Sequence, residues 1–286
     1  MVSRYKDFTA AVLASTDVDT LLMRQTIMSF DDAATRDTAL SGVLVEGMHA
    51  YLLDTDQTSF YNGAAWVAVT GYGLVTFTAS GTFTKASYPW AKSYKITCIG
   101  GGGAGGGAPT TGAGESSMGG GGGAGGVAYD HGLVSAFGAS ETVTIGAAGA
   151  STDTTNGGVG GATSFGTFAV SGGGSGGFAR AASATPHAAK PGAGGSATTG
   201  DVQLSGGSGD VGFVTDNELG FSGKGGDGPF GAGGRSRVTT GAQELSGYAA
   251  TGYGAGGSGS IRGTSQTGTL TSGAGTAGLV ILELFA

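Results

Sequence analysis

Among residues able to do chemistry, the string Gly173-Gly-Ser175-Gly-Gly177 has the G-x-S-x-G spacing of a nucleophile elbow, in which a sharp strand-to-helix turn exposes a serine oxygen for acyl transfer. That chemistry needs a strong strand before the serine and a helix after it. Ser175 has neither, and with 64 glycines among 286 residues the string arises by chance. The G-x-G-x-x-G strings, including residues 100–105, fail the same way: no amphipathic helix follows, and no acidic residue stands about twenty positions on to hold a ribose. A G-x-x-x-x-G-K-[ST] phosphate loop is absent from the sequence.

Metal chemistry has as little support. His49, His131 and His187 are far apart and show no ligand spacing. Asp54-Thr-Asp56 and Asp153-Thr-Thr-Asn156 could offer oxygens to calcium, but each lacks a later bidentate carboxylate and reads as a turn. The single cysteine, Cys98, excludes an internal disulfide and reads as a small hydrophobe in a strand. Glycan cleavage needs paired carboxylates, whereas Glu115, Glu141, Asp201, Asp210, Glu218, Asp227 and Glu244 are scattered. The expectation is a protein without catalytic residues, metal or cofactor.

Recognition is better supported. Phe178, Arg180, His187, Arg235, Arg237, Tyr248 and Tyr253 lie between glycine tracts, and aromatic and arginine side chains on loops of a rigid scaffold are typical binding anchors. They are the candidate receptor-binding residues. Lys190, Phe213, Asn217, Phe221, Lys224 and Phe230 punctuate the same tracts, and Phe213, Phe221 and Phe230 fit core plugs and surface contacts equally well. A formal charge of −7, with no basic cluster beyond Arg235 and Arg237, argues against a nucleic-acid partner. No apolar run approaches the roughly 18 residues of a membrane span, and the N-terminus lacks the order of a signal peptide, so synthesis in a cytoplasm without membrane insertion is expected.

The elements that must position these residues change character along the chain. Residues 1–25 read as an arm that docks on another subunit or protein. Residues 26–70 read as a small β-α-β hairpin module: Thr26-Ile-Met-Ser-Phe30, a helix from Ala33 to Leu40 capped by Asp31-Asp32, then strands around Met48–Leu53, Ser59–Tyr61 and Ala65–Val69 with an Asn62-Gly63 hairpin turn. So small a unit favours oligomerisation. Residues 71–286 form a glycine-rich β domain in which Ser93-Tyr-Lys-Ile-Thr-Cys-Ile-Gly100 runs straight into 101–107, and short strand candidates such as Glu141-Thr-Val-Thr-Ile145 alternate with tracts of irregular spacing.

Flexible linker is one reading of those tracts. The other is a packed lattice, because glycine chains adopt an extended threefold helix of about 3.1 Å per residue with no internal hydrogen bonds, so that neighbours must satisfy every peptide group. The fold expected is mainly β: a small α/β N-terminal attachment module followed by a glycine-rich β-sandwich, with the tracts either packed polyglycine-II helices or irregular loops.

Two resemblances follow. Met23-Arg-Gln, Ala34-Thr-Arg36-Asp, Glu46-Gly-Met48, Asp54-Thr, Tyr61-Asn-Gly63 and Ala65-Trp66-Val, in that order, resemble a small module of bacteriophage tail-fibre and minor tail proteins. The string from Phe77 through Ser80-Gly-Thr-Phe83-Thr to Ile99-Gly-Gly-Gly-Gly, with the ending Ala277-Gly-Leu-Val-Ile-Leu-Glu-Leu-Phe285, resembles the glycine-rich C-terminal domain of phage tail fibres and adhesins. The resemblance implies a sandwich of polyglycine helices whose connecting loops contact a host receptor. The expected protein is a non-enzymatic structural component of a virion, homotrimeric. It would be held to other virion proteins through residues 1–70 and bind a host surface glycan or protein, with Tyr248 and Tyr253 suited to stacking on sugar rings. A capsid fibre or decoration protein is the first alternative, a glycan depolymerase the second.

Overall fold

The structure, a computed structural model, describes residues 27–69, 71–216 and 219–286; the expected N-terminal arm, Asn217 and Glu218 lie outside the described residues. The fold is mainly β, in several sheets with one α-helix among the described residues. Two compact units are present: the described residues up to Gly73 with 90–92 and 284–286, and residues 74–89 with 93–283.

In the first unit, β1 (Ile27–Phe30) leads to α1 (Ala33–Ala39), which returns the chain so that β2 (His49–Leu52) pairs parallel to β1. Asp32 caps the helix, its carboxylate accepting from the Thr35 N–H at 2.7 Å. β3 (Gln57–Tyr61) and β4 (Trp66–Ala68) complete the sheet, in the order β1-β2-β3-β4. Between the last two strands Gly63 takes a φ of 91°, which L side chains rarely adopt, and the Asn62 side chain accepts from the Ala64 and Ala65 amides. Arg36 is buried, its guanidinium 4.5 Å from the centre of the Trp66 ring and bonded to Asp37.

The second unit combines two five-stranded sheets with a field of glycine rods. One sheet is ordered Val202–Leu204, Val127–Leu133, Ser93–Ile99, then this unit's parts of the strands Leu279–Phe285 and Tyr72–Phe77; the other Ala197–Thr199, Ala169–Ser171, Thr163–Phe165, Ser140–Thr144, Gly81–Thr84. An aromatic core fills the space they share. Phe165 lies 5.6 Å from Phe83 and 5.3 Å from Phe137, and Phe137 stacks 4.3 Å from Tyr94 and meets Phe168 edge-on at 4.9 Å. Ile96, Cys98, Val143, Val280 and Leu282 are buried with them.

At Ile99 the strand turns into the first rod without interruption. Ile99 pairs opposite Val127, and the next amide, Gly100, donates to Gly126 at 3.1 Å. From there the partners recur every third residue. Gly100, Gly103 and Gly106 donate to Gly126, Gly123 and Gly120; Gly101, Ala104 and Gly107 donate to Gly161, Gly158 and Thr155; Gly102 and Gly105 donate to Thr276 and Gly273. The carbonyls serve three further segments: Gly101 and Ala104 accept from Gly174 and Gly177, Gly103 and Gly106 from Gly257 and Ser260, and Gly102 from Gly149. A rod with a repeat of three and six neighbouring segments has the hydrogen bonding of polyglycine II, and residues 119–126 repeat it. Apart from the buried methyls of Ala104 and Ala124, the spacing in these two rods leaves no room for side chains pointing inward. A Cβ at Gly102 would overlap the Ala255 carbonyl, and one at Gly121 the Lys224 carbonyl.

Candidate binding surface

The rods end in loops and short sheets that carry the side chains. One loop cluster centres on Tyr248. Its amide donates to the Ser258 hydroxyl at 2.8 Å and its carbonyl accepts from the Ser258 amide at 3.1 Å, so a serine buried in a rod holds its backbone from both sides. Arg237 is held in the same manner by buried Ser222, amide to hydroxyl at 2.9 Å and carbonyl to amide at 2.9 Å. Its guanidinium then donates to the Ser246 carbonyl at 2.8 Å and to the Tyr248 hydroxyl at 2.7 Å, 4.4 Å from the tyrosine ring centre. Arg235, exposed, places a second guanidinium 4.9 Å from that ring. Among the described residues neither arginine has a carboxylate partner. Two like charges against one ring in an acidic protein raise the local potential toward anions.

Val238 follows Arg237 and opens an apolar row. In the four-stranded sheet His187–Ala189, Gly212–Val214, Leu219–Phe221, Val238–Thr240, the register aligns Ala188, Phe213, Phe221 and Val238 across the strands. Phe213 is 44% exposed and Phe221 42%, so both face outward. The opposite face aligns His187, Val214, Gly220 and Thr239, all buried.

A groove of about 420 Å³ lies elsewhere on the unit, lined by Asn156, Val159, Ser175, Phe178, Lys190 and Pro191 among others. Its walls are neighbouring segments of the lattice, joined by Gly157 to Gly177, Ser175 to Ala193 and Phe178 to Lys190 backbone bonds of 2.9 to 3.0 Å. The Lys190 ammonium sits 5.4 Å from the centre of the Phe178 ring.

Rods, bracketing sheets and surface loops together fill the span that comparison with known families picks out: a family model described as a glycine-rich domain matches residues 78–284. The chain belongs to this glycine-rich domain family. No curated protein matches it.

Within the glycine-rich domain the seven candidate residues separate. Arg235, Arg237 and Tyr248 converge, and Phe178 lines the groove with Lys190. Arg180 stands exposed on the strand Ala179–Ser183, opposite Met118, and among the described residues no hydrogen bond or ion pair joins its side chain to another candidate. His187 is not a surface loop residue: it is 8% exposed on a strand, its Nδ1 2.7 Å from the Thr185 carbonyl, because strand parity turns it inward with Val214. Tyr253 pairs opposite Phe230 and packs on Ile99, Val127 and Leu279, which makes it half core. Phe230 is exposed like Phe213 and Phe221, so none of the three plugs the core.

The remaining chemical candidates take structural positions. Ser175 sits in a rod, with no helix after it. His131 lies on the strand Val127–Leu133, its Nδ1 2.6 Å from Asp201. Asp153 is tied to Arg262, 3.2 Å away, and this arginine is fully buried. Glu244, at 3.5 Å, and the Gly268 carbonyl complete its surroundings. Nothing in the sequence around Ile261-Arg262 signals a buried cation. Burial pushes the Cys98 thiol up to about 12, which removes the thiolate a nucleophile would need. Among the described residues no group of three metal-ligating side chains converges, and no helix is long and apolar enough to cross a membrane.

Proposed function

We propose that this chain is a non-enzymatic virion structural protein, a tail-fibre or minor tail protein that attaches a bacteriophage to its host cell. The observation that carries the reading is the Arg235–Tyr248–Arg237 cluster, a tyrosine and two guanidiniums without carboxylate partners, held by hydrogen bonds to serines buried in the lattice. Preorganised aromatic and arginine groups lose little entropy on binding, and they are the residue types that dominate recognition energetics. The tail-fibre resemblance of the strings around Tyr61-Asn-Gly63 and Ile99-Gly100 supports the same reading. In it residues 1–70 hold other virion proteins, three copies assemble, and the glycine-rich domain faces a host surface glycan or protein.

The test is adsorption. Purified full-length protein is expected to bind host cells and to block infection, and Tyr248→Ala is expected to abolish both while leaving circular dichroism and the melting temperature close to wild type. Unchanged adsorption by a folded Tyr248→Ala variant would reject the site. Immunogold labelling of intact particles separates the locations: label on the head alone would move the protein to the capsid-fibre reading. Release of reducing sugar ends from host envelope would make it a depolymerase.

A further inference from the structure

We propose that the groove between Val159, Phe178 and Lys190 is a second binding site, and that its ligand is a carboxylate-bearing sugar. The site shares no residue with the Tyr248 cluster.

Two polar side chains of the groove, Asn156 and Lys190, turn donors toward it, beside the Ser175 hydroxyl, which can donate or accept. Asn156 spends its carbonyl oxygen on the Ala179 amide at 2.9 Å, which leaves its NH₂ group as the end available to a ligand. Lys190 has only N–H donors, and among the described residues its ammonium has no ion-pair partner. A ligand with acceptors suits Asn156 and Lys190, and a negative charge meets the ammonium best. Much of the remaining lining is apolar: Val159 is 67% exposed, Phe178 40%, and Pro191 and Ala193 stand beside them. A compact ring with one hydrocarbon face and a carboxylate at its edge matches both halves, and the volume is within the usual range for small-ligand sites.

The experiment is saturation-transfer NMR and titration of the full chain with glucuronate, with glucose, acetate and a glutamate-containing peptide as comparison arms. Glucuronate is expected to bind, to weaken as ionic strength rises, and to lose about tenfold or more in affinity in Lys190→Met, as for loss of a hydrogen bond to a charged group. Lys190→Arg should retain most of the binding, and Phe178→Ala should weaken it, while Tyr248→Ala should leave it unchanged. Glucose binding as tightly as glucuronate, acetate binding as tightly as glucuronate, an unaffected Lys190→Met variant, or no binding in any arm would each overturn the proposal. Tighter binding of the peptide would replace the sugar with a protein carboxylate and overturn it equally. The readout is independent of cell adsorption: glucuronate binding without adsorption keeps the groove and sinks the attachment reading, and adsorption without glucuronate binding does the reverse.

Discussion

The aromatic sandwich and the glycine lattice belong to one unit, yet they are held together by different physics. Between the sheets, Phe83, Phe137, Phe165 and Tyr94 supply cohesion as buried side chains, and each strand bonds to at most two neighbours in its plane. In the lattice the backbone supplies nearly everything. Rod 100–107 bonds in six directions because the Ala104 methyl is the one side chain it carries. Ordering glycine costs more conformational entropy than ordering any other residue, so the lattice forms only where nearly every peptide group finds a partner and where the rods are pinned at their ends by strands such as Ser93–Ile99. The two regions should therefore fail differently: the lattice when anything is added, the sandwich when something is removed.

Adding a side chain to a central rod is the largest expected effect. A Cβ at Gly122 would overlap the Gly103 carbonyl and crowd that of Ala104, and the obstacles are backbone that cannot move without breaking other rods. Gly122→Val is expected to cost more than about 4 kcal/mol, read as insoluble expression or collapse of the urea midpoint. A mildly affected variant would mean that the rods are loosely packed and that the comparison is mistaken. Removing volume from the sandwich comes next: Phe165→Ala, fully buried in the wild type, should cost about 3–5 kcal/mol in denaturant unfolding.

Acid titration separates the regions more gently. Asp227, beside the rods, is held below its ordinary 3.8 chiefly by the Lys224 ammonium at 2.6 Å and then by the Gly233 amide. A depressed folded-state value means that its contribution is present above pH 3.8 and is lost as pH falls through the lower value. Asp227→Asn should lower the melting temperature at pH 7, with the difference from wild type vanishing in strong acid. Asp130, on the sandwich strand Val127–Leu133, is raised by burial and by nearby Asp201, against the opposing hydrogen bond from Tyr94. Its favourable contribution is present below pH 3.8 and fades as pH rises through the raised value. Asp130→Asn should thus raise the melting temperature at pH 7, and the gain should disappear near pH 3. Matching signs for the two variants would contradict this assignment. The smallest effect belongs to Gly81, on a sandwich strand with open space around its Cβ position. Gly81→Ala should be neutral or stabilise by about 0.4–1 kcal/mol, the opposite of the lattice glycines.

Much of the local structure is legible in residue types. Asp32 caps a helix and Asn62-Gly63 closes a hairpin because those side chains bond their own neighbouring backbone, and such short-range chemistry needs no tertiary context. The junction at Ile99-Gly100 is visible for the same reason: an apolar strand ends where side chains end. The candidate surface is only half legible. Arg235, Arg237 and Tyr248 stand within 14 residues and do meet, but His187, expected at the surface, turns inward, and Phe213, which fitted core and surface equally, faces outward, because a single step in strand register decides which face each occupies. Val159 and Asn156 join the groove from a segment whose polar and apolar residues look like turn material.

By itself the sequence determined a mainly β, acidic chain with a glycine scaffold, because composition and local patterning settle which backbone states are open. Which rod lies beside which, and so where Tyr248 finds its arginines and Lys190 its groove, only the tertiary structure decided. A glycine tract carries no side chain to encode a partner. Its neighbours are selected by the lattice as a whole, through hydrogen bonds that exist only once every rod is in place.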